Sequence, residues 1–369
     1  KICDADGVLD ADDDEIVVAT TRLETMLGDT AVCIHPADPR YSHLHGKFVK
    51  HPYLERVIPI VLDDELVDMS FGTGAVKITP AHDPNDYALG LKHELPLINV
   101  LNEDGTMNNE CGQYAGMMRF DVRTAMLADL KERGLYRGLE ANPGMRLGLC
   151  SRSGDVVEPM LKPQWYMSCT ELAQRGIDAA ASGDLNIVPE SQRKNWQRWL
   201  EDIPEWCISR QLWWGHRIPA WRISTSAADA PDSGLADNDA WVVERTEAEA
   251  RTAAAAKLGV AEDDVVLVQD DDVLDTWFSS GLFPFSVFGW PDETPDLKTF
   301  FPTALLETGQ DILFFWVARM VMMSFALMDE LPFSDVFLHA MVRDAHGRKM
   351  SKSLGNVIDP LAVISGISL

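Results

Sequence analysis

The sequence predicts an α/β protein built from two modules, and three observations carry that reading. Strand-like runs, charged loops and helix-like runs alternate through the second half, which is the pattern of a sheet covered by helices. The aromatic residues are unevenly placed: all 11 tryptophans lie at position 165 or later, and only Phe48, Phe71 and Phe120 of the 14 phenylalanines precede it. The length of 369 residues fits about two or three domains. Two different cores explain the aromatic break, with a junction near 150–165 and modules at residues 1–150 and 151–369.

In the first module, residues 15–20 (EIVVAT), 57–62 (VIPIVL), 75–79 and 97–101 read as strands from their β-branched content. Residues 84–94 and 120–133 read as helices, the second stopped by Gly134, a suitable left-handed cap. Asp12, Asp13, Asp14 and Glu15 read as a solvated turn. In the second module Pro189-Glu190 opens a helix with Trp196, Trp199 and Leu200 at helical spacing. Residues 312–328 form the longest apolar run, and Arg319 and Ser324 inside it favour a buried helix over a membrane span. Residues 336–342 (VFLHAMV) read as a buried strand feeding a polar loop at 343–356, and the small polar stretch 224–239 reads as a surface loop.

Composition narrows the function. A chain with 46% hydrophobic and 24% charged residues is neither disordered nor collagen-like. A net charge of −26 excludes a basic nucleic-acid wrapper, so any nucleic-acid contact must be local. Six cysteines, no two closer than 19 positions, fit scattered thiols of a cytoplasmic protein and no disulfide frame or zinc ribbon. No signal peptide is expected from the polar opening Lys1-Ile-Cys-Asp-Ala-Asp, and no membrane partner.

The strongest chemical signal is Gly347-Arg348-Lys349-Met350-Ser351-Lys352-Ser353-Leu354-Gly355-Asn356, three cations and two hydroxyls between glycines. Lysines bring point charges to phosphate oxygens and hydroxyls add donors. Preplaced ammonium groups facing a departing pyrophosphate are worth several kcal/mol, on the order of a thousandfold in rate. A solvated basic loop has the same composition. Glu307-Thr308-Gly309-Gln310-Asp311-Ile312 offers a glycine for close approach and a carboxylate for two vicinal hydroxyls, though Asp311 can equally be a plain helix cap. In the first module Thr20-Thr21-Arg22 and the stretch from Phe71 to Tyr87 place hydroxyls, Lys77, Arg22 and the helix-start carboxylates Asp83 and Asp86 where one polar pocket can form. Asp83 also has the position of a cap. No Ser-His-Asp or metal nucleophile system accompanies them.

Lys349-Met350-Ser351-Lys352-Ser353 resembles the signature loop of the class I aminoacyl-tRNA synthetases. Asp272 to Gly281, containing Trp277-Phe278-Ser279-Ser280-Gly281, resembles their tryptophan loop, and Trp206 to His216 resembles the stretch that re-enters the nucleotide fold after an inserted domain. The first module resembles the editing domain of the isoleucyl, leucyl and valyl branch; Arg22-Leu23-Glu24-Thr25, without the Pro-Trp of the isoleucyl and leucyl enzymes, and Ser279-Ser280 favour the valyl type. The resemblance implies a mixed α+β, β-barrel-like editing domain followed by the second half of a Rossmann-like catalytic fold.

It also implies roles. Lys349, Ser351 and Lys352 would be catalytic at the pyrophosphate; Glu307, Gly309, Asp311, His339, Met350 and Lys352 would hold ATP, with Mg²⁺; Trp277, Ile312 and Trp316 would wall the amino-acid pocket. Thr20, Arg22, Phe71, Lys77, Asp83 and Asp86 would line the editing pocket, Asp86 holding the amino group or hydroxyl of threonine. Partners would be tRNA(Val), L-valine, ATP and, in the editing site, L-threonine.

Two departures stand out. None of the nine histidines lies in a His-x-Gly-His motif, so a fragment inactive in adenylation is expected. Cys150-Ser151-Arg152-Ser153 replaces a Cys-x-x-Cys of some relatives, so no structural zinc is expected. An isoleucyl-type fragment and a noncatalytic tRNA-binding relative are the alternative readings.

Overall fold

A computed structural model describes residues 1–10, 15–139, 147–150, 153–224, 240–351 and 354–366. The acidic run at 12–14, the loop at 225–239, Ser151, Arg152, Lys352 and Ser353 lie outside the described residues. The chain separates into two compact units, Lys1–Lys162 and Pro163–Leu369. Residues 153–162 belong to the first unit because they are tied to it: Leu161 N–H donates to Ala81 O at 3.0 Å, and Glu158 pairs with Arg22 and Arg119.

Unit 1 is built on five strands, β1 (Ile2–Cys3), β2 (Ala31–Ile34), β3 (Phe48–Lys50), β4 (Val57–Leu62) and β5 (Ala75–Ile78). They form one mixed sheet in the order β1-β3-β4-β2-β5, in which only β2 and β4 run parallel. No ladder joins β5 to β1 among the described residues. All four β2 residues are buried, because the sheet is covered on both faces. Val32 and Ile34 join Ile58 and Ile60 on one side, while Ala31 and Cys33 join Ile78 and Leu89 on the other.

Helix α1 (Pro84–Lys92) starts at Asp83, whose side chain accepts from the N–H of Asn85 and Asp86. Helix α2 (Arg119–Glu132) packs Val122 and Met126 against Met26 and Leu27; Gly134 just beyond it takes φ 70°. Two expected strands are absent among the described residues. Residues 15–20 form no ladder; Ile16 and Val18 pack on the sheet core as side chains only. Residues 97–101 keep a single bridge, Leu101 to Met107. In both, alternation marks side-chain burial without backbone pairing.

Unit 2 begins with β6 (Tyr166–Met167), α3 (Thr170–Ser182), β7 (Asn186–Val188), α4 (Arg193–Glu201), β8 (Trp206–Cys207) and β9 (Ser209–Arg210). Strands β10 (Ala220–Ser224), β11 (Trp241–Val243) and β12 (Val266–Gln269) form a small antiparallel sheet around α5 (Glu247–Leu258), whose start carries a Thr246–Glu249 capping box. Then follow β13 (Val273–Leu274), α6 (Thr276–Gly281), α7 (Phe283–Ser286), α8 (Pro295–Phe300), β14 (Thr303–Gly309), α9 (Arg319–Leu327), β15 (Phe333–His339) and α10 (Pro360–Ser365).

The central sheet is parallel, in the order β14-β15-β7. The long apolar run is wound in three ways: a 3-10 turn Gln310–Ile312, a π-helical stretch Leu313–Ala318, and α9. A π segment inside a helix often marks a functional position. Gln310–Leu327 is long and apolar enough to cross a bilayer, with mean hydropathy 1.4, yet Val317, Met320 and Val321 are sealed in the unit's core with Trp196 and Phe285. The expected helical stripe on α4 is half right: Trp196 and Leu200 are buried, but Trp199 is 47% exposed.

Candidate active sites

In unit 1 the chain after residue 20 turns into a 3-10 helix, Leu23–Gly28, that delivers Glu24, Thr25 and Asp29 beside the end of β5. Lys77 and Thr79 lie on one face of the extended chain, two residues apart. The Lys77 ammonium donates to Thr25 Oγ1 at 3.3 Å, to Asp29 Oδ1 at 3.2 Å and to Thr79 Oγ1. Thr79 Oγ1 in turn donates to Asp29 Oδ1 at 2.6 Å. The backbone N–H of Thr79 donates to Asp86 Oδ2 at 2.8 Å. Asp86 Oδ1 receives no donor among the described residues, and burial pushes this carboxyl up to about 6.

Arg22 donates to His82 O at 3.0 Å and pairs with Glu158. His82 Nε2 accepts the Val100 N–H at 3.0 Å, which leaves Nδ1 to donate to Pro159 O; burial holds this imidazole down at about 4, so it is neutral. Glu24, fully buried, accepts twice from Arg123, at 2.8 and 2.6 Å. Burial alone would raise its carboxyl; Arg123 and the backbone donors outweigh that and hold it below the ordinary range.

The structure thus gathers Arg22, Lys77 and Asp86 around the Thr79–Asp83 turn. Thr20, half-buried, is joined to them through the Arg22 N–H it accepts at 3.0 Å. Asp83 serves as the α1 cap. Phe71, 72% exposed, sits in the turn before β5, and no ring contact of its side chain is seen among the described residues. Glu24, Asp29, Thr79, His82 and Glu158 are parts of this arrangement that sequence reasoning missed. Burial of so many polar residues was not visible in the sequence, although the strand-end spacing of Lys77 and Thr79 was a usable hint.

In unit 2 the parallel pair β14 and β15 ends with Gly309 opposite His339. The carboxyl ends of parallel strands are where such sheets bind ligands. A Cβ on Gly309 would lie 2.7 Å from both Asp311 Oδ1 and Met341 Sδ, so a larger residue here would displace those two side chains. His339 Nε2 lies 3.1 Å from Glu307 Oε1. Lys349 of the charged loop contacts Asp311 Oδ2 directly. That loop is a tight turn organised by Asp344, which accepts from the N–H groups of His346 and Arg348 at 2.9 and 2.8 Å and from Asn356 Nδ2 at 2.9 Å. Hydrogen bonding by Asn356 and the Arg348 backbone keeps the Asp344 carboxyl low. Ser351 N–H donates to Asn356 Oδ1 at 2.9 Å, and Met350 Sδ accepts from Ile358 N–H. Lys352 lies outside the described residues.

The chain from 14 to 368 matches the family model described as "tRNA synthetases class I (I, L, M and V)". This chain belongs to the class I tRNA synthetases. Among its relatives are the valine--tRNA ligase of Mus musculus, 60% identical over 97% of this chain and 28% of that protein, and that of Caenorhabditis elegans, 59% identical over 97% and 34%. A third, "Valine--tRNA ligase, mitochondrial 1" of Arabidopsis thaliana, is 58% identical over 96% and 32%. The chain therefore spans about a third of the length of these curated relatives.

In this class I synthetase chain the tryptophan loop is held by a buried carboxylate. Asp275 accepts from Trp206 Nε1 at 3.1 Å, pairs with Arg319 at 3.1 Å and with Arg210 at 3.2 Å. Arg319 also lies over the Trp206 ring at 3.9 Å. This explains a charge inside an apolar helix. Trp277, two residues past Asp275, stacks on Phe315 with ring centroids 6.3 Å apart, and Trp316 Nε1 donates to Ser280 O at 3.1 Å. Trp277 and Trp316 are thereby joined through α6, half-buried against the unit core. Ile312 lies at the 3-10 to π transition, four residues before Trp316 in the π-wound stretch. Asp275 and Asp344 are the site residues that the sequence reading passed over here. His216 is exposed, as are Trp213 and Trp214, at 101% and 91%.

Proposed function

We propose that the chain carries two sites of a valine-specific tRNA synthetase: half of the site that joins valine to tRNA(Val) through valyl-adenylate, and a hydrolytic site that removes threonine from Thr-tRNA(Val). The observation that carries the first is the Lys349–Asp311 contact at the carboxyl end of the parallel sheet. It brings the signature loop to the Gly309–Asp311 element, where a nucleotide's ribose hydroxyls and phosphates need a carboxylate acceptor and a cation. The close approach at Gly309 suits ATP, with Asp311 exchanging Lys349 for vicinal hydroxyls. Lys349, with Lys352, would then stabilise the departing pyrophosphate. Glu307 and His339 would flank the nucleotide. Trp277, Ile312 and Trp316 would shape the valine pocket. Mg²⁺ would arrive on the nucleotide phosphates, as it commonly does at such sites.

In unit 1 the reaction is ester hydrolysis: water adds to the threonyl carbonyl, the bond to the ribose oxygen breaks, and that oxygen takes a proton. Asp86, with one oxygen fixed by Thr79 and the other open, is placed to accept from the threonine ammonium or hydroxyl. A valine methyl offers no such donor. A second sieve is chemically necessary because an apolar pocket rejects threonine against valine by only about a hundredfold, an established figure for enzymes of this kind and not a result from this chain. Arg22 would meet phosphate or ribose at the end of the RNA.

The test is a pair of assays on this chain. It should deacylate Thr-tRNA(Val) without ATP and lose that activity on Asp86→Ala, and it should not catalyse valine-dependent ATP–pyrophosphate exchange. Deacylation indifferent to Asp86→Ala would sink the editing half; exchange at normal rates would sink the statement that the adenylation site is incomplete.

A further inference from the structure

We infer that Asp29 is a positioning residue of the unit 1 site, fixing the Thr79 turn that orients Asp86. The inference rests on the editing reading above. Asp29 is 4% exposed and lies between the 3-10 helix and β2. Its backbone is pinned on both sides: its N–H donates to Met26 O at 3.0 Å, its carbonyl accepts from Arg56 at 3.1 Å, and the next N–H, of Thr30, donates to Ile78 O at 2.9 Å. The carboxylate is thus held in place before any ligand arrives. It takes the Thr79 hydroxyl at 2.6 Å and the Lys77 ammonium at 3.2 Å.

Two consequences follow from the count of donors. All three protons of the Lys77 ammonium have partners inside the protein, namely Thr25, Asp29 and Thr79. Asp29 thereby fixes the Lys77 ammonium as well as the Thr79 hydroxyl. Thr79 has its hydroxyl spent on Asp29 and its N–H spent on Asp86, so one residue transmits the position of the first carboxylate to the second. Misplacement of a substrate-holding group by about 1 Å costs on the order of a hundredfold in rate.

The experiment compares Asp29→Asn, Thr79→Val and Asp86→Ala with the unaltered chain in Thr-tRNA(Val) deacylation across pH 5 to 8, with circular dichroism and melting curves on each. Asn keeps the shape of Asp29 and removes its charge; Val keeps the Thr79 N–H and removes the hydroxyl. The expected result is a kcat reduced roughly tenfold or more in both, with KM for the RNA within about twofold. The charged and ionisable groups facing Asp86 are Lys77 on β5, Asp83 on its own helix, Asp29 and the Cys33 thiol. Of these Asp29 disfavours ionisation of Asp86, so the acid limb of the Asp29→Asn profile should move to lower pH.

Unchanged kcat in both variants overturns the inference, as does a loss that the folded fraction accounts for with an unmoved acid limb. If Asp29→Asn does not fold, Thr79→Val decides alone by its kcat. If the unaltered chain does not deacylate, or Asp86→Ala is silent, the editing reading fails and takes the inference with it. A silent Asp29→Asn beside a dead Asp86→Ala removes the inference only.

Discussion

In unit 1 the polar groups around Thr79 are enclosed: Glu24, Asp29, Lys77, His82 and Asp86 are all buried, each with partners inside the protein. At the carboxyl ends of β14 and β15 in unit 2, Glu307, His339 and Lys349 are exposed; Glu307 pairs with His339 across the two strands, and Lys349 pairs with Asp311. Under the proposed function, the difference follows from what each site requires. A site that must tell a hydroxyl from a methyl needs its acceptor fixed in a dry, hydrogen-bonded frame, because only then does an unpaired polar group cost enough to discriminate. A site that receives a triphosphate can leave its cations on a loop, since the ligand's own charge organises them.

The largest expected effect tests the enclosed side. Asp86→Ala should lower Thr-tRNA(Val) deacylation on the order of a hundredfold, while the melting temperature of the chain changes little. A small rate effect would mean that the enclosed carboxylate is scaffolding.

Stability should separate the two kinds of ion pair next. Glu24→Ala leaves Arg123 without its buried partner, and Asp275→Ala strands Arg319 beneath Trp206. Each should cost about 3 kcal/mol in urea unfolding of its own unit. Lys349→Ala breaks a pair in which the lysine side chain is 57% exposed, and should cost less than about 0.5 kcal/mol. Equal costs for all three would erase the contrast between enclosed and open sites.

The pH dependence of unit 1 sharpens the same point. His51 and His82 are both held down at about 4 by burial. Between that value and the ordinary 6.5, the unfolded chain binds protons that these imidazoles refuse when folded, so their contribution falls as pH drops from about 6.5 to 4. Asp86, raised to about 6, works in the other direction over the range above 3.8, because the folded state holds its proton. Asp29, likewise raised by burial, works with Asp86. The two histidines still predict a less stable unit 1 at pH 5 than at pH 7, measurable by denaturation at both values. Stability flat between these values would contradict the buried, neutral state of the histidines.

Much of the frame was readable from residues. Val57–Leu62, α1 with its Asp83 cap, and α2 with Gly134 lie where periodicity and caps place them, whereas β15 runs over Phe333–His339, three residues ahead of the 336–342 expected. What failed has a common cause. Residues 15–20 and 97–101 carry strand-like alternation, but pairing depends on neighbours remote in sequence. The π-wound stretch at 313–318 is apolar like any helix, and nothing local announces its winding. The candidate site was visible in the sequence as motif residues, Lys349, Asp311 and Asp86. It was illegible where the chemistry depends on long-range partners: Glu158 reaches Arg22 across 136 positions, and Asp29 reaches Thr79 across 50.

One measurement bears most directly on the account: initial rates of ester cleavage for Thr-tRNA(Val) and Val-tRNA(Val) by this chain, side by side and without nucleotide. The account predicts rapid release of threonine and near-background release of valine. Equal rates for the two, or none above the uncatalysed background, would contradict it.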